Sequence, residues 1–365
     1  MLKDNADDIR HKIKHFKQHS LIAEIRDECS EIIQKFASAD VIFEPQQLTY
    51  SQLGEMVDGA FIALHGRPGE DGAVQEQLDN LGLPYNGSGV ASSSITINKY
   101  ETLQTLRKNG FIVADQMLVQ KSFFEENQVA VIAEIEQRFS YPFIAKPVDD
   151  GCSSAVKVIK NQTVLIEYLK AIYRDTFELD AESRLKIQLM PKEEFPQKNV
   201  VLLETLIQKG DAKHFLEVTG GMLTHLENGE IKFEVFEPSE ALAGGEILSL
   251  EEKFLAGEGQ NITPARFSKD PEEFRLVSEQ VRNTLESAAK ILQVEGYCRI
   301  DAFVRIFDDA RVETIIIEVN SLPGMTPATC IFHQSAINGY QPYEFIDSIL
   351  DYGFKRNSLK NSMKI

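Results

Sequence analysis

The chain has 365 residues, a formal net charge of −18 and 43% hydrophobic residues, the profile of a folded protein with ordinary cores. That charge repels phosphate backbones and anionic lipid heads, and no basic stripe with interleaved aromatics offsets it, so neither nucleic acid nor a membrane surface is an expected partner. No apolar run approaches about 18 residues, the opening MLKDNADDIRHK lacks a secretory core, and cysteines 29, 152, 298 and 330 form no CxxC pair; the reading is a cytoplasmic protein with reduced thiols.

In chain order, residues 7–37 read as charged helices, followed by apolar strands at 40–44 and 60–64 and a helix near 72–81, part of an open α/β unit over 1–92. A second unit, 93–200, reads as helix 93–109, strand 112–119, helix 127–138, strands 142–146 and 155–160, and helix 163–172, a small α+β lid. A third, 201–365, opens with the apolar strand VVLLETLI and continues through the ENGE turn and a long helix at 271–292 to two β-branched runs, RIDAFVRI and IIIEVN.

Those last runs carry the chemistry. Within each, alternate residues share a face, which groups Arg299, Asp301 and Phe303 on one strand and Glu318 and Asn320 on the other. If Asp309 and Ala310 form a two-residue loop, Asp301 lies opposite Glu318 and Arg299 opposite Asn320. Opposed carboxylates about 5 Å apart repel. A hard cation liganded by Asp301, Glu318 and Asn320 removes that repulsion, and magnesium held by one or two carboxylates plus substrate phosphates suits the count. A hairpin whose charges simply face water is the alternative, opposed by the apolar flanks IDAFV and IIIEV. Nearby, Lys146 ends an apolar strand at a proline, and the Gly/Ser loop VDDGCSSAV that follows has amides and hydroxyls able to close over phosphate oxygens, although such loops are commonly plain turns.

The ordered segments ALHGRPGEDG, LGLPYNGSGVASS, INK, YPFIAKP, GCSS, EEKF, RIDAF and EVNSLPGMT resemble the D-alanine–D-alanine ligase family of the ATP-grasp ligases across most of residues 60–350. The resemblance implies an α/β ATP-grasp fold with an α+β lid, and the cofactors ATP and Mg2+. The implied reaction phosphorylates one D-amino acid's carboxylate and lets a second amine attack, supplying peptidoglycan precursors. It implies ATP-phosphate contacts for Lys99, Lys146 and Ser153, with Lys253 reaching the transferred phosphate. Glu204 would open the adenine hinge and Leu206, Ile207, Phe303 and Ile317 would line the base; Arg299 and the amide of Gly324 would stabilise the oxyanion. The small-molecule substrates, D-amino acids, would meet His65 and Glu70 at the first subsite and Thr329 at the product-side carboxylate, and a homodimer is the family's usual state.

The chain departs from the family pattern in places. No glycine-rich Ser-x-Glu segment is visible before residue 60, so the amino-terminal domain is expected to be altered or incomplete. Cys152 and Phe254 replace a family serine and tyrosine that share a hydrogen bond, and phenylalanine at that place also occurs in relatives making D-alanyl–D-lactate. The family's G-x-E, whose acid grips the nucleotide ribose, is blurred here to KGDAKHF, with Asp211 in the acid's place. A depsipeptide ligase and a non-catalytic nucleotide-binding module are therefore the alternatives to a dipeptide ligase.

Overall fold

A hairpin organises the larger of two sheets. The computed structural model describes residues 47–150, 155–189, 195–241, 261–325 and 329–362, together with Asp27. The expected elements before residue 45 lie outside them. The hairpin strands are β10 (Tyr297–Ile306) and β11 (Val312–Asn320), and both runs are rich in β-branched and aromatic residues that favour a pleated, half-buried surface. Their turn is one residue longer than expected: Phe307 N–H donates to Arg311 O at 3.0 Å, so the loop is Asp308, Asp309 and Ala310, with Ala310 left-handed at φ 65°. An extra residue would turn Glu318 onto the opposite face. A β-bulge cancels the slip, because Ala302 pairs with Ile316 while Asp301 pairs with Glu318, leaving Ile317 as the surplus residue. The register expected at the site end therefore stands, with Arg299 opposite Asn320.

Around this hairpin the sheet runs β1 (Ile112–Val113), β11, β10, β6 (His214–Glu227), β8 (Ser239–Ala241) and β9 (Asn261–Ile262), with β7 (Glu230–Val235) also paired to β6. The ENGE segment turns β6 into β7, with Asn228 and Gly229 both left-handed. One face is dry: Val218, Met222, Ile300, Ala302, Val304 and Ile316 pack on Val277, Val281, Leu285 and Ala288 of α9 (Pro271–Ile291). That helix begins as its sequence dictates, with Asp270 capping the Glu272 and Glu273 amides and Pro271 in the first turn. The other face carries Arg299, Asp301, Glu318 and Asn320, and α10 (Cys330–Ile337) packs on β6. Consecutive glycines in β6 let helices approach both faces: a Cβ at Gly220 would sit 2.2 Å from Leu285, and one at Gly221 2.3 Å from Gln334.

The smaller sheet runs β2 (Gln116–Gln120), β5 (Val200–Thr205), β3 (Phe143–Pro147) and β4 (Lys157–Ile159). Alternation divides it cleanly, since Phe143, Ala145, Val201 and Leu203 are buried under α6 (Gln128–Arg138) and α7 (Gln162–Ile172), while Ile144, Lys146 and Glu204 look toward the larger sheet. Four expectations are corrected. Residues 112–119 form no single strand, because the chain leaves the larger sheet after Val113 and enters the smaller one at Gln116. VVLLET does not open the third unit; it is an interior strand of the lid sheet, so a boundary at 200/201 cuts that sheet at the edge of β5. The helix expected over 93–109 is α3 (Val90–Ile97) followed by α4 (Lys99–Lys108), broken where Asn98 turns extended to cap the Glu101 amide.

Nor is 60–64 a strand. The buried Asn86 side chain accepts from Ile62 N–H at 2.5 Å and donates to Ile62 O at 3.2 Å, doing the work of a neighbouring strand for one residue, and Ala60 makes a single bridge to Tyr85. This segment, α2 (Ala73–Leu81) and Tyr85 share a core with Phe345 and Ile349 of α11 (Pro342–Ser362). Arg356 of α11 donates to Tyr85 O, Gly87 O and Glu295, and its guanidinium lies 4.4 Å from the Tyr85 ring centre.

Ala310→Gly relieves the left-handed strain at the hairpin turn at the cost of unfolded-state entropy. It is expected to raise unfolding free energy by about 0.5–1 kcal/mol in urea denaturation, with no effect on the strands' pairing.

Candidate active site

The two sheets face each other across a cleft. Its lining includes Lys99, Lys146, Glu204, Leu206, Ile207, Asp301, Phe303, Ile317 and Glu318, so the residues assigned separately from the sequence come together in one place. Its wall is mostly apolar with a few charged groups converging on it, the character of a small-molecule site. At the lid side, Glu204 accepts from Lys146 at 2.5 Å and from Gln116 at 2.8 Å, a buried charge pair with its remaining acceptor satisfied. At the large-sheet side, Phe303 stacks on Phe215 with ring centres 5.2 Å apart.

Beside the hairpin carboxylates, where the sequence reading places a metal ion, the protein also sets two cations of its own. Arg299 forks onto Asp301 through Nε at 3.0 Å and Nη2 at 3.1 Å, and Nη2 lies 4.0 Å from Glu318. Lys99 Nζ is 3.7 Å from Glu318 Oε2 and also donates to Asp150 O. Burial works against the Arg299 charge, but Asp301 and Glu318 more than offset it and hold the guanidinium firmly protonated. Asn320 Oδ1 accepts from Leu322 N–H at 3.1 Å, which fixes the amide oxygen's orientation. The donor set is two carboxylates and an amide carbonyl, all hard oxygens on one strand face, which suits a magnesium ion that takes its other ligands from phosphates and water. Among the described residues no cluster of three or more His, Cys, Asp or Glu forms a cage of purely protein ligands.

A loop from the amino-terminal region closes one end. Glu70 is 6% exposed, accepts from Gly66 N–H at 2.5 Å, and lies 3.6 Å from His65, whose Nδ1 is 3.4 Å from Leu322 O beyond β11. Burial pushes the Glu70 carboxyl above its ordinary range, partly countered by His65 and the Gly66 amide; Arg299 and Glu318 are close enough to act on it as well. Arg67 of the same loop reaches Asp149 of the lid at 3.0 Å, and Lys198 holds Asp149 and Asp150 at 3.0 and 2.6 Å. Asp149 is lowered by these cations in spite of burial.

Gly324 lies partly buried in the loop after β11, and Thr329 precedes α10. Next to it, Cys330 is a free thiol pushed up to about 11 by burial. Cys152, Ser153, Lys253 and Phe254 lie outside the described residues. Sequence reasoning missed Asp150 and Glu217, which both line the cleft. Alternation along HFLEVT puts Glu217 on the face of Thr219, and pairing with β10 would have revealed it; Asp211, read as the ribose acid, is exposed before β6 and is not among the lining residues.

Family models described as D-ala D-ala ligase N-terminus and C-terminus match residues 6–88, and 105–190 with 180–351. The chain belongs to the D-alanine–D-alanine ligase family. The amino-terminal match places residues 6–88 within the family's N-terminal domain. Among relatives, the D-alanine–D-alanine ligase of Leptospira interrogans is 30% identical over 82% of this chain and 74% of its own, and that of Geotalea uraniireducens 31% over 81% and 78%. The structure of the Bacillus anthracis ligase complexed with ATP superposes with TM-score 0.60 at 21% identity, covering 94% of this chain and 96% of that one. The VanG D-Ala:D-Ser ligase of Enterococcus faecalis gives 0.59 at 22%, covering 81% and 73%. The two facing sheets are thus an ATP-grasp fold.

The raised Glu70 carboxyl gives a pH signature. A group raised by folding costs nothing below its ordinary pKa, and its penalty grows as pH climbs through the raised value. Glu70→Gln, which keeps an oxygen for the Gly66 amide, is expected to raise the melting temperature at neutral pH and to leave it unchanged below about pH 4, read by calorimetry at both.

Proposed function

We propose that this chain is an ATP-dependent ligase joining two D-alanine molecules for peptidoglycan precursor synthesis, working in the cytoplasm as a homodimer with ATP and Mg2+. The observation that carries the reading is the juxtaposition, in a family member, of the Asp301, Glu318, Asn320 and Arg299 face with Lys99 and Lys146 at the cleft between the sheets. Among the described residues no helix is long and apolar enough to cross a membrane.

Asp301, Glu318 and Asn320 would hold the magnesium, which when bound neutralises phosphate charge. Lys146 and Lys99 would take ATP phosphate oxygens, Lys146 moving from its ion pair with Glu204, while Glu204 turns to the adenine edge and Leu206, Ile207, Phe303 and Ile317 cover the base. Ser153 and Lys253 would add to the phosphate contacts. With His65 and Glu70 on the first D-alanine's amino group, its carboxylate faces the terminal phosphate; in-line transfer gives an acyl phosphate and ADP, a step that positioning and charge neutralisation dominate. The second amine, with its carboxylate at Thr329, attacks the carbonyl. Arg299 and the Gly324 amide take the oxyanion charge as it develops, and phosphate leaves. Phe254 with Cys152 supports a second reading, D-lactate as acceptor, because loss of a hydroxyl pair over the site favours a hydroxy acid once the competing amine is protonated.

Three measurements test this. Phosphate release should require ATP, a divalent cation and D-alanine. ATP with magnesium should raise the melting temperature by mass action, and Glu318→Gln should remove most of that shift and cut turnover by about a hundredfold or more. Retained turnover in Glu318→Gln would refute the metal assignment. If the second reading holds, the D-alanyl–D-lactate share of product should rise below pH 7 and fall in Phe254→Tyr; an unmoved ratio rejects it.

A further inference from the structure

Asp301 is held more tightly than a charge pair requires. A carboxylate offers about four lone-pair sites on two oxygens. Oδ1 takes Arg299 Nε at 3.0 Å and the Thr219 hydroxyl, and Oδ2 takes Arg299 Nη2 at 3.1 Å. One site remains, on Oδ2. Thr219 is the direct cross-strand partner of Asp301 in β6, is 7% exposed, and its hydroxyl must donate because a carboxylate only accepts.

Thr219 is itself anchored from outside the strand. Gln334 of α10, fully buried, donates from Nε2 to Thr219 O at 2.7 Å and to Ser239 Oγ at 3.0 Å. Ser239 pairs with Thr219 across β8 and shares a hydrogen with Thr263 at 2.6 Å. The Gln334 amide reaches so far in because Gly221 has no Cβ, which would lie 2.3 Å from Gln334 Oε1. That oxygen is buried and has no hydrogen-bond partner among the described residues. Leaving an amide oxygen unsatisfied costs stability, so packing alone does not explain a glutamine where leucine or methionine would fill the space. What the glutamine does supply is a fixed backbone at Thr219.

We propose that Thr219, fixed by Gln334, is a positioning residue that reserves Asp301 as a single-oxygen ligand for the divalent cation. The inference rests on Asp301 being a ligand of that cation. Carboxylate torsions are broad and roughly two-fold, so without the hydroxyl the group turns between Arg299 and the cation and presents either oxygen. With it, both sites of Oδ1 are taken by the protein, and the one site that Arg299 leaves on Oδ2 is kept for the metal.

The test is a Mn2+ titration of the full chain in saturating ADP, with free Mn2+ read by electron paramagnetic resonance, beside the melting temperature of the metal-free protein. Thr219→Val keeps the shape and removes the donor; it should raise the Mn2+ Kd by about tenfold or more, the usual effect of losing a partner of a metal ligand, while Thr219→Ser stays within about twofold. Gln334→Met should raise it by a smaller factor. Asp301→Asn is the control for the underlying reading. If Asp301→Asn weakens Mn2+ and Thr219→Val does not, the positioning role is wrong; a lowered melting temperature with unchanged Kd likewise makes Thr219 structural only. If Asp301→Asn also leaves Mn2+ binding unchanged, the cation assignment at Asp301 falls and takes this inference with it. Should Thr219→Val fail to fold, Thr219→Ala is read by the same criteria.

Discussion

Everything at this site depends on keeping Asp301 and Glu318 side by side on one strand face. Two carboxylates in cross-strand register repel, and partial burial strengthens the repulsion. The structure meets the cost with two cations: Arg299 forks onto one carboxylate and Lys99 stands beside the other. Removing either cation would leave a half-buried charge, which is why these residues cannot be separated into structural and chemical classes. Lys99 also lines the cleft, so a group that makes the folded face tolerable is one able to meet a ligand's negative charge.

The lid solves a parallel problem with the opposite sign. Lys146 stands on a strand buried on one face by aromatic and aliphatic side chains, and Glu204, on the neighbouring strand, neutralises it. The pair holds the ammonium at the cleft wall until a ligand takes the carboxylate's place. Between the two sheets the chain passes twice, through Ala114 and Asp115 and through residues 206–213, while Arg67 ties Asp149 of the lid to the amino-terminal loop. The lid is therefore joined to the larger sheet by two short chain segments and to the amino-terminal loop by an ion pair, an arrangement suited to closing over a substrate and opening again.

Much of this was legible in the sequence because its strands alternate. Arg299, Asp301 and Phe303 could be put on one face, with Glu318 and Asn320 opposite, before any coordinates, and Lys146 and Glu204 could be placed at the ends of apolar runs. What alternation cannot supply is register through an irregularity. The reading assumed a tight two-residue turn, and reached the right pairing because the longer turn and the bulge at Ile317 cancel. Sheet membership was also hidden: VVLLET is as apolar as any strand of the large sheet, and only its pairing with β2 and β3 assigns it to the lid. Thr219, Glu217 and Gln334 escaped because their meaning comes from partners 82 to 115 residues away, or from a neighbouring strand, and nothing local marks them.

The carboxy-terminal helix has a consequence for how the protein is made. Arg356 closes on the backbone of Tyr85 across 271 residues and on Gly87 across 269, and Phe345 and Ile349 complete the core that contains Ile62 and Leu78. Contacts of such separation cannot form while the chain is still emerging from the ribosome, because their loop-closure entropy falls due before any reward. The lid, whose strands and helices lie within 116–205, can assemble early on local contacts. The amino-terminal core cannot, and its apolar face stays open until the last helix is released, which makes the interval after synthesis of the lid the one in which this protein is most exposed to misassociation.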